Sequence, residues 1–220
     1  MIIDLHVHEK RNSDDSILSL EDAVIQARKL GLDGICITDH DNNRIRDFAK
    51  EYSKKVDFPI FVGAEIYTEE GDFVVFGLKE IPEETLTAQD LLHLVEEEGG
   101  VAIAAHPYRN TFRSLGDWSY SLEGFWAVEA FNGTTHREKN RQAGHMAQII
   151  EMPMVGASDA HRIEHLGRCA TFFTTPVTSE EDLIRAIKNR QVYPVEYTDK
   201  GYQPIETIET TKVAHKKVHA

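Results

Sequence analysis

The sequence predicts one barrel-like α/β domain with its chemistry gathered at strand ends. Three observations carry that expectation. Strand-like apolar runs alternate with helix-like segments almost throughout the 220 residues, as in a parallel-strand α/β fold. Three of those runs end in histidine beside carboxylate: Asp4-Leu5-His6-Val7-His8, Thr38-Asp39-His40-Asp41 and Ser158-Asp159-Ala160-His161. In an extended chain the i and i+2 side chains share a face. Each tip can therefore aim two groups at one place, and barrel-like α/β folds collect active groups at strand C-termini.

The elements follow in order. Ile2–Val7 reads as a strand. Ser19, with Asp22 three residues on, caps a helix carrying Ala23, Ala27 and Leu30 that stops at Gly31. Strand Gly34–Thr38, a helix near Asn43–Lys54 and strand Ile60–Tyr67 come next. Gly71-Asp72 is a turn signal leading to Phe73–Leu78, which makes a hairpin. Thr87 caps a helix ending at Gly99-Gly100, and Val101–Ala105 runs apolar into His106-Pro107. Residues 108–124 lack periodicity and read as an irregular loop with room for a short helix. Strand Trp126–Phe131, helix Arg137–Ile150 and strands Met152–Ala157 and Thr171–Thr175 follow. Ser179 starts the helix Glu180–Lys188 ahead of strand Val192–Tyr197. From Gly201 the hydrophobic pattern fades, so residues 1–200 are expected to form the domain and 201–220 a peripheral tail.

Composition excludes several functions. No run approaches the ~20 apolar residues of a membrane helix. Met1-Ile2-Ile3 enters a strand directly, leaving no room for a signal peptide, so a cytoplasmic location is expected. Cys36 and Cys169 are too few for a disulfide framework and fall in apolar runs, as buried inert thiols do. Lysine and arginine number 24 against 37 acidic residues, a formal net charge of −13. That disfavours an extended nucleic-acid surface, which needs cations to neutralise phosphates. A small phosphorylated substrate held at metals remains compatible.

His6 and His8 share a face, and neutral histidine is a common transition-metal ligand. Asp4, on that face, is expected to orient an imidazole. Glu65 ends an apolar strand in Gly63-Ala64-Glu65-Ile66, where a lone charge is costly. It reads as a bridge between metals, or as the partner of an arginine. His106 is a further ligand candidate at a strand terminus. Arg109 reads either as a phosphate clamp, its fork matching phosphate oxygens, or as a surface arginine. His136 and His165 lie in segments from which they could approach a substrate, while His93, His145, His215 and His219 have no partnered spacing.

Asp4-Leu5-His6-Val7-His8, Ser13-Asp14, Thr38-Asp39-His40, Gly63-Ala64-Glu65, Ala105-His106-Pro107 and Ser158-Asp159-Ala160-His161 resemble, in order, the motifs of the polymerase and histidinol phosphatase (PHP) family. The resemblance runs from residue 2 to about residue 190. It implies a distorted (β/α)7 barrel with two or three divalent ions (Zn, Mn or Fe) that hydrolyses phosphoesters. His6, His8, Glu65 and Asp159 would hold one metal, Glu65 and His106 a second, and Asp14, His40 and His161 a third. Asp14 is preferred to Asp15 because Ser13-Asp14-Asp15 resembles the family's Ser-Asp-Gly. Asn132 resembles a polar position near the family's site. In Phe73-Val74-Val75-Phe76-Gly77, Val74 takes a place where many members carry a histidine ligand. The second metal would then be short of a donor.

The expected activity is hydrolysis of a small phosphomonoester or nucleotide by metal-activated hydroxide, with Arg109 orienting the phosphoryl group and Glu65 and Asp159 holding the metals. Histidinol-phosphatase-like activity is one alternative. A noncatalytic metal-stabilised module acting through a partner is the other.

Overall fold

The computed structural model describes residues 1–205. The chain runs β1 (Ile2–Val7), α1 (Leu20–Leu30), β2 (Gly34–Ile37), α2 (Arg46–Val56), β3 (Ile60–Val62), β4 (Ala64–Tyr67), β5 (Asp72–Phe76) and α3 (Ala88–Glu97). It continues through β6 (Val101–Ala104), a 3-10 turn (Gly116–Tyr120), β7 (Ala127–Asn132), α4 (Arg137–Ile149) and β8 (Met154–Ala157). β9 (Cys169–Phe173), α5 (Glu180–Lys188), β10 (Val192–Thr198) and β11 (Gly201–Pro204) complete it. The caps act as the sequence predicts. Ser19, Thr87 and Ser179 each accept from the backbone N–H three residues on, and Gly31 closes α1 in the left-handed conformation.

The strands form two sheets rather than one closed barrel. One has the order β11-β10-β9-β1-β2-β3 and the other β4-β5-β6-β7-β8. They meet at two seams, where isolated bridges join Val7 to Ala160 and His40 to Glu65. A closed ring of (β/α) units is not found, because helices are missing from several connections. The short turn at Glu69–Gly71 makes β5 antiparallel to β4, and β9, β10 and β11 are also antiparallel to their neighbours. The run Ile60–Tyr67, expected as one strand, splits at Gly63 and changes sheets there. A Cβ at Gly63 would lie 2.3 Å from the Val75 carbonyl, so only glycine lets β5 approach this closely.

Three apolar layers follow from that arrangement. Ile3, Leu5, Val74, Phe76, Ile103, Val155 and Phe173 fill the space between the sheets. Leu183, Ala186 and Ile187 of α5 join this layer and seal the end at which β5 finishes and β6 begins. α3 and α4 cover the outer face of the second sheet, and α1 and α2 that of the first. Each large side chain buried in these layers contributes roughly 1.5–3 kcal/mol. The opposite end, toward which β1 and β2 point and at which β5 starts, is left for polar groups.

β11 pairs with β10 from Val195–Pro204 to Thr198–Gly201, so the sheet extends into the segment expected to be peripheral. The remainder of that segment, 206–220, lies outside the described residues. Cys36 is buried and Cys169 mostly so, both as free thiols. Burial pushes Cys36 well up and Cys169 up to about 12, which suits inert thiols. Among the described residues no helix is long and apolar enough to cross a membrane.

Candidate metal centre

The open end of the two sheets gathers most of the expected site residues within a few ångströms. β1 delivers His6 and His8, both fully buried, with their Nε2 atoms 3.0 Å apart. Glu65 Oε2 lies 3.5 Å from His6 Nε2, 3.4 Å from His8 Nε2 and 2.8 Å from His40 Nδ1. Asp159 Oδ1 is 3.6 and 3.3 Å from the same His6 and His8 nitrogens. His106 Nε2 lies 2.8 Å from Glu65 Oε1, and the His161 ring stacks on His8 at 4.1 Å. His106 and Asp159 hold positive φ angles of 30° and 53°. Such strain in non-glycine residues concentrates at functional sites.

These contacts are what a cation site looks like when described by its protein atoms. A carboxylate only accepts, so Glu129 Oε1, 3.0 Å from His6 Nδ1, fixes the His6 proton on that atom. The Nε2 lone pair of the neutral ring then faces into the cluster. Ser13 Oγ lies 3.3 Å from His8 Nδ1 and donates to Asp39 Oδ1 at 2.9 Å, orienting the second ring in the same way. Glu65 Oε2 is buried with no well-formed hydrogen bond, and its nearest neighbour is His40 Nδ1 at 2.8 Å. Such a buried carboxylate oxygen facing three imidazoles matches the donor set of a divalent metal. Among the described residues three donor groups lie close enough to hold an ion: His6, His8 and Asp159; His8, His40 and His161; and Glu65, Asp72 and His106.

The charges respond to this crowding. Burial would push the His6 imidazole down, but the Asp159, Glu129 and Glu65 charges raise it well above its ordinary value. His8, dominated by burial, is pushed down to about 3. Burial alone would raise Glu65 and Asp159, yet His6 above all holds both well below the carboxylate range. Against its burial, Glu65 raises His40 to about 9. The crowded carboxylates thus draw protons to His6 and His40, while burial keeps His8 neutral.

Several placements differ from the sequence expectation. Asp14 is exposed, and Asp15 is the carboxylate that meets His40 Nε2 at 3.2 Å and His161 Nε2 at 3.0 Å. Asp15 is exposed as well, at 56%, but the loop after β1 brings its carboxylate to the two rings, which two adjacent aspartates in sequence do not reveal. Asp4 orients no ring. It accepts from the Ser158, Gly167 and His6 amides and ties β1 to the chain beyond β8. Glu129 orients His6 instead. Its signal was a lone charge inside the apolar strand Val128–Phe131, the same logic that identified Glu65. Val74 lies in the apolar layer between the sheets. Asp72, two residues nearer the site on the same face, supplies the donor beside Glu65 and His106. Because β5 is antiparallel, its first residue rather than its last reaches the site.

Two arginines rim the cluster. Arg109 donates to Asn132 Oδ1 and Thr134 Oγ1, both at 2.7 Å, to Thr135 Oγ1 at 2.9 Å, and also to Asp159. Asn132 in turn donates to Glu129 and Asp159 at 3.1 and 3.2 Å, which fits its expected place near the site. Arg113, in the unpatterned loop and without any sequence signal, donates from Nε to Asp72 Oδ2 at 2.7 Å. An open cleft of about 450 Å³ beside Arg109 is bordered by Phe112, Ser114 and Lys139. A second cavity of about 430 Å³, lined by Arg137, Arg141, Cys169 and Glu196, includes none of the clustered ligand candidates. Exposed His136 precedes α4.

Comparisons with known proteins point the same way. The PHP domain model matches residues 4–163, and a PHP-associated model matches residues 137–192. An uncharacterized protein of Methanocaldococcus jannaschii is 31% identical over 147 residues, covering 63% of this chain and 85% of its own. Solved structures at 18% identity share the fold. A candidate metal-dependent phosphoesterase of Bifidobacterium adolescentis aligns with a TM-score of 0.66, over 86% of this chain and 96% of that one. PsfC of Pseudomonas syringae aligns at 0.69, over 91% and 92%. For the lesion-specific endonuclease of Pyrococcus furiosus the TM-score is 0.65, over 86% of this chain but 56% of that one. Since the first family match runs from Asp4 to beyond His161 and so takes in every strand end that feeds the cluster, this chain belongs to the PHP domain family.

Proposed function

We propose that the protein is a metal-dependent hydrolase that cleaves the phosphoester bond of a small phosphomonoester or nucleotide, using two or three divalent ions of the Zn, Mn or Fe kind. One observation carries this reading. A buried carboxylate oxygen of Glu65, without a well-formed hydrogen bond, faces the His6, His8 and His40 imidazoles at 3.5, 3.4 and 2.8 Å, with arginines on the rim. Bound divalent ions at such a site acidify water and draw charge from phosphoryl oxygens.

The chain's own residues do the rest. Glu65 and Asp159 hold the ions, and Glu129 and Ser13 keep the His6 and His8 lone pairs aimed inward. Arg109 and Arg113 each engage a carboxylate and stand ready to grip phosphoryl oxygens, since guanidinium forks fit phosphate. Phe112 is 81% exposed and stands edge-on to Tyr67, offering a ring to a planar leaving group such as a nucleobase. The net charge of −13 favours a small substrate over an extended nucleic acid.

The test is a screen of phosphate esters with metal-loaded protein and a chelated control. Loaded protein should hydrolyse at least one phosphomonoester or nucleotide, and Asp159→Asn should cut the rate by roughly two orders of magnitude or more. Loaded, folded protein inert across the screen would favour the noncatalytic module.

A further inference from the structure

The donor groups differ in kind. His8, His40 and His161 present three ring nitrogens, with the exposed Asp15 carboxylate beside two of them, whereas Glu65, Asp72 and His106 present two buried carboxylates and one ring. We infer that the chain sorts unlike cations between the ends of its site. Zn²⁺ takes the imidazole end, an oxygen-preferring ion such as Mn²⁺ takes the carboxylate end, and Asp72 is the ligand that decides. This rests on the reading of the cluster as a divalent-metal centre.

Asp72 is fully buried. Its Oδ2 accepts from Arg113 Nε at 2.7 Å and lies 4.0 Å from His106 Nε2, while its Oδ1 has no partner. A buried carboxylate oxygen is costly to leave unsatisfied. Arg113 brings one positive charge to a place holding two carboxylates, Asp72 and Glu65, and its Nη2 also lies 3.4 Å from His40 Nδ1. Arg113 is held in turn over the Tyr67 ring at 4.9 Å. With Oδ1 unpartnered and Oδ2 accepting only from Arg113, the Asp72 carboxylate keeps hard oxygen donor capacity at this end of the site. One oxygen of Asp72, one of Glu65 and a His106 nitrogen lie within 4.8 Å of one another, close enough to share an ion.

Carboxylates suit Mn²⁺ and imidazoles suit Zn²⁺. On most mixed sites Zn²⁺ still binds more tightly than Mn²⁺, so sorting shows as a difference in preference. One equivalent of Zn²⁺ should settle at the imidazole end, and excess Mn²⁺ should fill the carboxylate end.

The experiment is anomalous diffraction at the Zn and Mn edges, on crystals of the full chain grown with one equivalent of Zn²⁺ and excess Mn²⁺. The expected result is Zn at His8–His40–His161 and Mn at Glu65–Asp72–His106, with an Asp72 oxygen in contact with the Mn. The reverse order, an even mixture at both ends, or Asp72 outside contact overturns the sorting while leaving the metal centre standing. No metal at either end overturns the metal centre itself. In solution, Mn²⁺ titration followed by electron paramagnetic resonance should show Asp72→Asn weakening Mn²⁺ by roughly a hundredfold. The same variant should bind the first Zn²⁺ as before, and Asp72→His should raise the preference of the carboxylate end for Zn²⁺ over Mn²⁺ by roughly tenfold or more. Unchanged Mn²⁺ binding in Asp72→Asn, with its fold checked by circular dichroism, also overturns the sorting.

Discussion

At the scale of single residues, the site turns on which of two neighbouring exposed aspartates reaches the histidines. Asp15 lies within 3.2 Å of both His40 and His161, whereas Asp14 points to solvent. Asp15→Ala is expected to weaken metal binding at the imidazole end by roughly tenfold or more, and Asp14→Ala to leave it unchanged, as read by titration calorimetry. Equal losses from the two variants would return Asp14 to the site. Protons should compete with the metals. His40 is raised to about 9 in the metal-free protein, so it is protonated at pH 7. That proton stabilises the metal-free fold fully below its ordinary value near 6.5, and the contribution fades as pH rises through 9. A metal needs the neutral ring, so its affinity should rise with pH across the same window. Calorimetry in buffers of different ionisation enthalpy should report protons released on binding, and their absence would contradict the raised value.

At the scale of elements, the passage from β3 to β4 carries Glu65 from one sheet to the other. Gly63 allows it, since a side chain there would meet the Val75 carbonyl at 2.3 Å and the Phe76 ring at 2.8 Å. Gly63→Ala is expected to cost roughly 1–3 kcal/mol and, by shifting β5 against β4, to move Asp72 relative to Glu65. Denaturant unfolding would read the first effect and metal stoichiometry the second. A variant as stable and as metal-rich as the parent would show that the approach of β5 is not what glycine serves. Strand direction matters as much as strand content. A parallel strand ends at the site and an antiparallel one starts there, which is why β5 contributes Asp72 and leaves Val74 in the apolar layer.

At the scale of the whole molecule, the cluster joins two sheets that also share an apolar layer and touch through backbone bridges at two seams. His6, His8 and His40 come with the first sheet, and Glu65, Asp72, His106 and Asp159 with the second. Ions bound between them would act as a staple across both seams. At a metal concentration a hundred times Kd, such binding contributes about 2.7 kcal/mol, or roughly 5–10 °C in Tm for a chain of this size. Chelation should therefore lower Tm by that order in a thermal scan, and refilling should restore it. An unchanged Tm in protein verified to bind metal would mean that the seams hold without the staple.

What the sequence determined by itself was local. Strand-end pairs such as His6 with His8 and Asp159 with His161, the helix caps at Ser19, Thr87 and Ser179, and a lone Glu65 in an apolar run were all legible. Periodicity and capping depend on residues only a few positions apart. What tertiary structure decided was direction and depth. Asp72 in place of Val74, Asp15 in place of Asp14, Glu129 rather than Asp4 behind an imidazole, and Arg113 on the rim all depend on how distant segments meet. So does the division into two sheets, which Gly63 and the short turn before β5 impose where alternation implied a ring. A two-residue period tells which side chains share a face. Only long-range pairing tells which end of that face reaches the site.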